Sequence, residues 1–224
     1  MAPVCEGNTG RPPSSCPKYA RRRPLISSSD PVILLLAAGR ATRMRGTDKL
    51  LERIDDTPLL TRMAKRCTSA GVTRVILGPD QTARRAALTD IPCQIIEAPE
   101  GSGMAASIVA GLADMTGSAA LITLADMPEI TAHDLHLMLA LHAQSPTSIL
   151  RAASRDGTPG HPVLFPEDLF PDLRKLVGDT GARAVLNAYT NRTHLIPLKD
   201  NRALTDLDTP EDWAAWRATQ KDGL

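Results

Sequence analysis

Five consecutive aliphatic residues, Val32-Ile33-Leu34-Leu35-Leu36, restrict the fold of this chain more than any other feature. Successive side chains of a strand point to opposite faces, so a run with no polar alternation must be buried on both sides. A parallel sheet covered by helices on each face meets that demand. The following segments keep the same rhythm. Thr57 to Ala70 reads as a helix with Leu59, Leu60, Met63, Ala64 and Cys67 on one face and Gly71 as its stop. Strands are expected at 74–77, 93–97 and 119–124, with a weak helix over 81–88 and another after Gly103. A further helix opens at Thr131, which has capping-box spacing to Asp134. Strand, helix, strand, helix is the βαβ signature. The predicted class is therefore α/β: a Rossmann-like, three-layer, open and mostly parallel sheet with helices on both faces. Beyond residue 145 the pattern loosens to strands at 147–151, 161–165 and 194–197 and a helix over 182–189. The last helix has Thr209 as cap and Pro210 at its first position. Glu211 and Asp212 then face its positive end.

Composition limits what such a domain can do. The chain has 224 residues, 42% of them hydrophobic, which is enough for an aliphatic core and against a disordered protein. Its formal net charge is +1 and it has only two each of Trp, Tyr and Phe. Neither a basic surplus nor stacking platforms are present, so nucleic acid and membrane are not expected partners. No apolar run is long enough to span a bilayer, and a cytoplasmic location is expected. Cys5, Cys16, Cys67 and Cys93 form no CxxC pair, and their spacing suits neither a disulfide framework nor a structural zinc site. Residues 1–30 read as a flexible, basic, Pro/Ser-rich extension, with Arg11, Lys18, Arg21, Arg22 and Arg23 against Glu6 and Asp30. One domain is expected over 31–218, then a short tail over 219–224.

In a sheet of this kind the carboxyl edge of the first strand is where ligands bind. There Ala37, Ala38 and Gly39 leave room for close approach to the main chain, and Gly46 permits a tight turn. Arg40, Arg43, Arg45 and Lys49 place four cations within ten residues. Exposed amides and cations together suit a polyphosphate. The spacing is not Walker A, because Lys49 lies three residues past Gly46 and is followed by Leu50. A second cluster, Gly101-Ser102-Gly103-Met104-Ala105-Ala106, formally fits G-x-G-x-x-[GA]. It follows the third strand rather than the first, which weakens an NAD reading. The strand 119–124 ends at Ala125-Asp126-Met127-Pro128, which aims a carboxylate across the switch point at the loop, and magnesium prefers such oxygen ligands. Asp208 precedes the last helix cap and is free to point into the same cleft, with Asp206 as its substitute. His133, His136 and His142 share a helix with no third ligand near and read as surface residues.

The stretch Leu36-Ala37-Ala38-Gly39 through Arg43-Met44 to Asp48-Lys49-Leu50-Leu51 resembles the signature loop of the MobA-like nucleotidyltransferases, and most closely their molybdenum cofactor cytidylyltransferase branch. The resemblance runs from about residue 32 to 213. It implies a fold of the nucleotide-diphospho-sugar transferase type. It also implies that nucleotide is bound by Ala37, Ala38, Gly39, Arg40, Gly46, Lys49, Gly103, Met104 and Ser107, with Lys49, Arg43 and Asp126 catalytic and Mg2+ on Asp126 and Asp208. The Gly-His-Pro segment at His161 and the Gly178-Asp179-Thr180-Gly181-Ala182-Arg183 stretch look like the family's acceptor side. They imply acceptor contacts from His161, Gly178, Asp179 and Gly181. The implied reaction moves CMP from CTP to molybdopterin with release of pyrophosphate. GTP as donor or another phosphorylated acceptor is the alternative, and a molybdoenzyme or chaperone is an implied client. Ala38 stands where guanylyl-specific relatives tend to carry Gly, whereas the spacing from Gly39 to Lys49 is nearer to those relatives. A non-catalytic cofactor carrier is the alternative of another class.

Overall fold

The computed structural model describes residues 30–39, 42–100, 103–179 and 181–221. The expected N-terminal extension therefore lies outside the described residues but for Asp30, as do the last three residues of the expected tail. In chain order the first elements are β1 (Val32–Leu36), a two-stranded hairpin of β2 (Arg53–Ile54) and β3 (Thr57–Pro58), α1 (Leu59–Ala70) and β4 (Val72–Leu77). Next come α2 (Thr82–Ala86), β5 (Gln94–Glu97), α3 (Gly103–Gly111), β6 (Ala119–Leu124) and α4 (Ala132–Gln144). The remainder is β7 (Ile149–Ala153), β8 (Pro159–Pro166), α5 (Phe170–Leu173), α6 (Arg183–Ala188), β9 (Thr193–Pro197) and α7 (Pro210–Lys221).

β1 is the third strand, beside the central β6, in a seven-stranded sheet of order β5-β4-β1-β6-β8-β7-β9. It pairs in parallel with β4 and with β6, and β8 alone runs against the rest. Its unalternating sequence is explained by two separate cores. Ile33 and Leu35 pack with Met63, Cys67, Leu135 and Met138 on one face. Val32, Leu34 and Leu36 pack with Ile108, Leu112, Phe165 and Leu173 on the other. Burying such side chains stabilises by about 1.5–3 kcal/mol each, so the strand is held from both faces. Arg74 on β4 is buried at the amino-terminal edge and donates to the Gly111 and Ala113 carbonyls at 2.9 and 2.7 Å, closing the end of α3.

The helix expected from Thr57 starts at Leu59 instead. Pro58 has an extended ψ of 141° and closes the β2–β3 hairpin with Thr57. β7 is shifted two residues toward the C-terminus of its expected span, because its partners are set by β8 and β9 across the sheet. Thr131 caps α4 in a reciprocal box with Asp134, as the spacing predicts. His133 and His136 are exposed, but His142, read as a surface residue, is buried. Its position on α4 turns it inward after Leu135 and Met138, and burial pushes its pKa down. Among the described residues no helix is long and apolar enough to cross a membrane.

Candidate active site

The chain crosses from β5 back over β1 to β6, which makes the carboxyl ends of β1 and β6 the switch point of the sheet. Ala37 N–H donates to the Ile76 carbonyl and Ala125 N–H to the Leu36 carbonyl, so both strands are held in register to their last residue. The loop leaving β1 is anchored at two apolar points, Met44 and Leu50, each almost fully buried. Between them Arg45 and Gly46 turn the chain through left-handed backbone, with φ of 51° and 98°. Gly46 supplies that turn on the exposed side of the loop. It does not line the cavity.

The stem of the loop is tied down by α2. Arg84, 3% exposed, forks onto Asp48 at 2.6 and 2.8 Å and donates to the carbonyls of Ala37 and Gly39 at 2.5 and 2.9 Å. Gln81 donates to the Ala38 carbonyl at 3.0 Å and accepts from Gly78 N–H at 2.9 Å. Every carbonyl from 37 to 39 is thus held from below, leaving the opposite side of this stretch to the cleft. Neither Arg84 nor Gln81 is singled out by the sequence. A short helix with adjacent Arg84 and Arg85 gives no sign that one is buried while the other pairs with Glu97 at the surface.

Lys49, fixed between Asp48 and Leu50, projects into the cleft. Its Nζ donates to Asp126 Oδ2 and to Asp208 Oδ1, both at 2.5 Å. The two acids arrive by separate routes. Asp126 follows β6 directly, while Asp208 is brought alongside by Leu207 N–H donating to the Asp126 carbonyl at 3.0 Å. The Asp208 N–H also donates to Asp212, which forms a reciprocal cap with Thr209. Asp212, which the sequence explains by the helix dipole alone, therefore also fixes the backbone of the second acid. Arg43 reaches the other oxygen of Asp208 at 2.7 Å from an exposed position, and Arg45 pairs with Glu211 at 2.7 Å. Burial disfavours the Lys49 charge, but Asp126 and Asp208 outweigh it and hold the pKa above the ordinary value. Partial desolvation and the charges of Asp126 and Asp208 push the Asp206 carboxyl up.

These groups line one cavity of about 630 Å³, within the ordinary range for a small-molecule site. Its walls include Ala37, Ala38, Gly39, Arg43, Lys49, Gly103, Met104, Ser107, Asp126, Asp179 and Asp208. Arg40 lies outside the described residues. Gly103, at the start of α3, has φ of 66°, and a Cβ there would meet Asp179 Oδ1 at 1.9 Å. Asp179 is thereby seated on α3, the Gly178 carbonyl accepts from Ala105 N–H, and Gly181 abuts Met104. Gly178, Gly181 and His161 do not themselves line the cavity. His161, on β8, is within electrostatic reach of Asp126, and its Nδ1 is buried without a hydrogen-bond partner. Burial and nearby Arg151 push its pKa down.

A divalent cation suits this donor set. Asp126 and Asp208 already converge on one positive charge, and Asp126 Oδ1 is buried without a hydrogen-bond partner. No group of three His, Cys, Asp or Glu forms a complete cage among the described residues. A pair of carboxylates that leaves other positions to phosphate is how magnesium is commonly bound in phosphoryl-transfer sites.

An open α/β sheet with a pinned, cation-bearing loop facing two acids at its switch point is a site suited to a metal-bound polyphosphate. Residues 33–193 match the MobA-like NTP transferase domain, and the chain belongs to that family. A molybdenum cofactor guanylyltransferase of Burkholderia cenocepacia (strain HI2424) is 31% identical over 196 residues, covering 81% of this chain and 93% of that one. Among solved structures, Rv0371c from Mycobacterium tuberculosis H37Rv superposes with a TM-score of 0.72 at 25% identity, over 84% of this chain and 97% of its own. A manganese complex of that protein shares the fold with a TM-score of 0.69 at 23% identity, over the same shares of the two chains.

Proposed function

We propose that this chain transfers a nucleoside monophosphate from a metal-bound NTP to the phosphate of molybdopterin, with GTP as donor. The observation that carries the transfer chemistry is the meeting of Lys49 with Asp126 and Asp208 at 2.5 Å in the cavity beside the 37–39 main chain. The guanylyl donor rests on relatives named molybdenum cofactor guanylyltransferase. It takes precedence over the CTP that the sequence put first. CTP remains a second reading because Ala38, which stands where guanylyl-specific relatives tend to carry Gly, lines the cavity.

In the proposed reaction an acceptor phosphate oxygen attacks the α-phosphorus of the NTP. The bond from that phosphorus to the bridging oxygen breaks, and pyrophosphate leaves with the electron pair. The attacking phosphate is already ionised, so no protein nucleophile or strong base is required. The work of the protein is positioning and charge stabilisation. Asp126 and Asp208 would hold Mg2+, which neutralises triphosphate charge and polarises the α-phosphate. Lys49 and Arg43 hold the leaving phosphates, while Gly103, Met104 and Ser107 face the nucleoside. Asp179, with Gly178 and Gly181 beside it on α3, shapes the acceptor side, and His161 is assigned to that side by the resemblance alone.

Pyrophosphate release with molybdopterin, Mg2+ and each of GTP, CTP, ATP and UTP tests this reading. The expected result is turnover with GTP at least tenfold above the others. Preference for CTP moves the assignment to the cytidylyl branch. No pyrophosphate with any NTP removes the transferase reading and favours a cofactor carrier.

A further inference from the structure

The contact that identifies the site also poses a question of occupancy. Asp126 and Asp208 come from segments far apart in sequence, and their carboxylates would repel if brought together alone. A single ammonium joins them, at equal distances of 2.5 Å. The Lys49 backbone cannot move far, since Asp48 is forked by Arg84 and Leu50 is buried in the core. Its four-carbon stem is intrinsically flexible and borders the cavity, and its charge is compact. The position between the two acids is therefore held by a side chain that can leave it without disturbing the loop. Arg43, on the outer oxygen of Asp208, is exposed and can be displaced in the same way.

We propose that Lys49 is a resident stand-in for the divalent cation. It keeps Asp126 and Asp208 converged in the nucleotide-free protein, and gives up both contacts when a metal–triphosphate arrives. The metal then enters with the nucleotide rather than ahead of it, because an ion alone must evict an ammonium that has nowhere equally favourable to go. With the triphosphate present, the displaced ammonium finds phosphate oxygens instead. This inference rests on the reading of the cavity as a metal–NTP site.

Titration of the full chain with Mn2+, followed by electron paramagnetic resonance, tests it without turnover. Wild type is expected to bind Mn2+ alone weakly, and to bind it at least tenfold more tightly when GTP or CTP is present. Lys49→Gln removes the stand-in and is expected to bind Mn2+ alone at least tenfold more tightly than wild type. Lys49→Arg keeps a cation and is expected to stay weak. Adding Asp208→Asn to Lys49→Gln should abolish the gain. A Lys49→Gln chain that folds only with Mn2+ present supports the same assignment, because the ion then separates the carboxylates. Unchanged or weaker Mn2+ binding by Lys49→Gln, or failure to fold even with Mn2+, overturns the stand-in while leaving the metal–NTP site of wild type intact. If wild type binds no Mn2+ even with either nucleotide, the underlying reading of the cavity fails as well.

Discussion

The stem and the rim of the loop after β1 use the same chemistry to opposite ends. At the stem Arg84 meets Asp48 at 2.6 Å with its side chain 3% exposed; at the rim Arg43 meets Asp208 at 2.7 Å with its side chain 71% exposed. Distance alone would rank them as equals. Burial separates them, because a desolvated, fully bonded guanidinium cannot be removed without stranding its partners, whereas an exposed pair is screened and contributes about 0–1 kcal/mol. The stem is a fixed frame and the rim a set of cations ready to change partners. Lys49 stands between them, with a buried base and a terminus shared by two acids.

The sharpest way to break this comparison is Arg84→Ala. It strips the Ala37 and Gly39 carbonyls of their Arg84 donor and leaves Asp48 only the Leu50 N–H, and the expected loss is about 3–5 kcal/mol of stability in urea denaturation. Arg84→Lys should recover only part of it, since one ammonium cannot reproduce the fork. A loss below about 1 kcal/mol would erase the distinction between stem and rim. Lys49→Ala is expected to lower kcat by about 10²–10³-fold, the scale seen when one preorganised donor is removed from a transition state. Circular dichroism should show the fold retained. Arg43→Ala should cost about tenfold in kcat/KM for the NTP, close to the 1.4 kcal/mol that corresponds to that factor, with an unchanged urea midpoint. A shifted midpoint would mean that the rim is structural after all. Arg45→Ala, whose pair with Glu211 is exposed on both sides, is expected to leave both measurements near wild type.

The smallest effect concerns Asp206. Its pKa is raised in the folded chain by partial desolvation and by Asp126 and Asp208, so its ionisation opposes folding. That opposition is absent below about pH 4, where the carboxyl is protonated in both states, and grows as pH rises through the folded pKa. Asp206→Asn should therefore raise the melting temperature by about 1 °C at pH 7 and leave it unchanged at pH 3. A rise of the same size at both pH values would refute the electrostatic origin.

Much of the stem's setting was legible in the sequence. The run at Val32–Leu36 announced a strand buried on both faces, and Thr131 with Asp134 announced a helix start. Local patterns carry such information because each is decided by its own residues. The acids at 126 and 208 were legible as candidates through their places at a strand end and before a helix cap. What could not be read was which side chains pack and pair beneath the loop. Arg84 and Arg85 are identical in type and adjacent, and only the packing of α2 beneath the loop makes one buried and the other exposed. His142 was misread for the same reason, since its burial depends on where α4 lies against the sheet.

The hydrogen bond from Leu207 to the Asp126 carbonyl has a consequence for how the protein is made. Lys49 and Asp208 are 159 positions apart in the chain, so the ribosome delivers the first long before the second. Any product released before that codon has a loop and one carboxylate with no second acid to complete the pair. The pair of acids bridged by one ammonium therefore forms only after a segment 159 positions beyond Lys49 has been made.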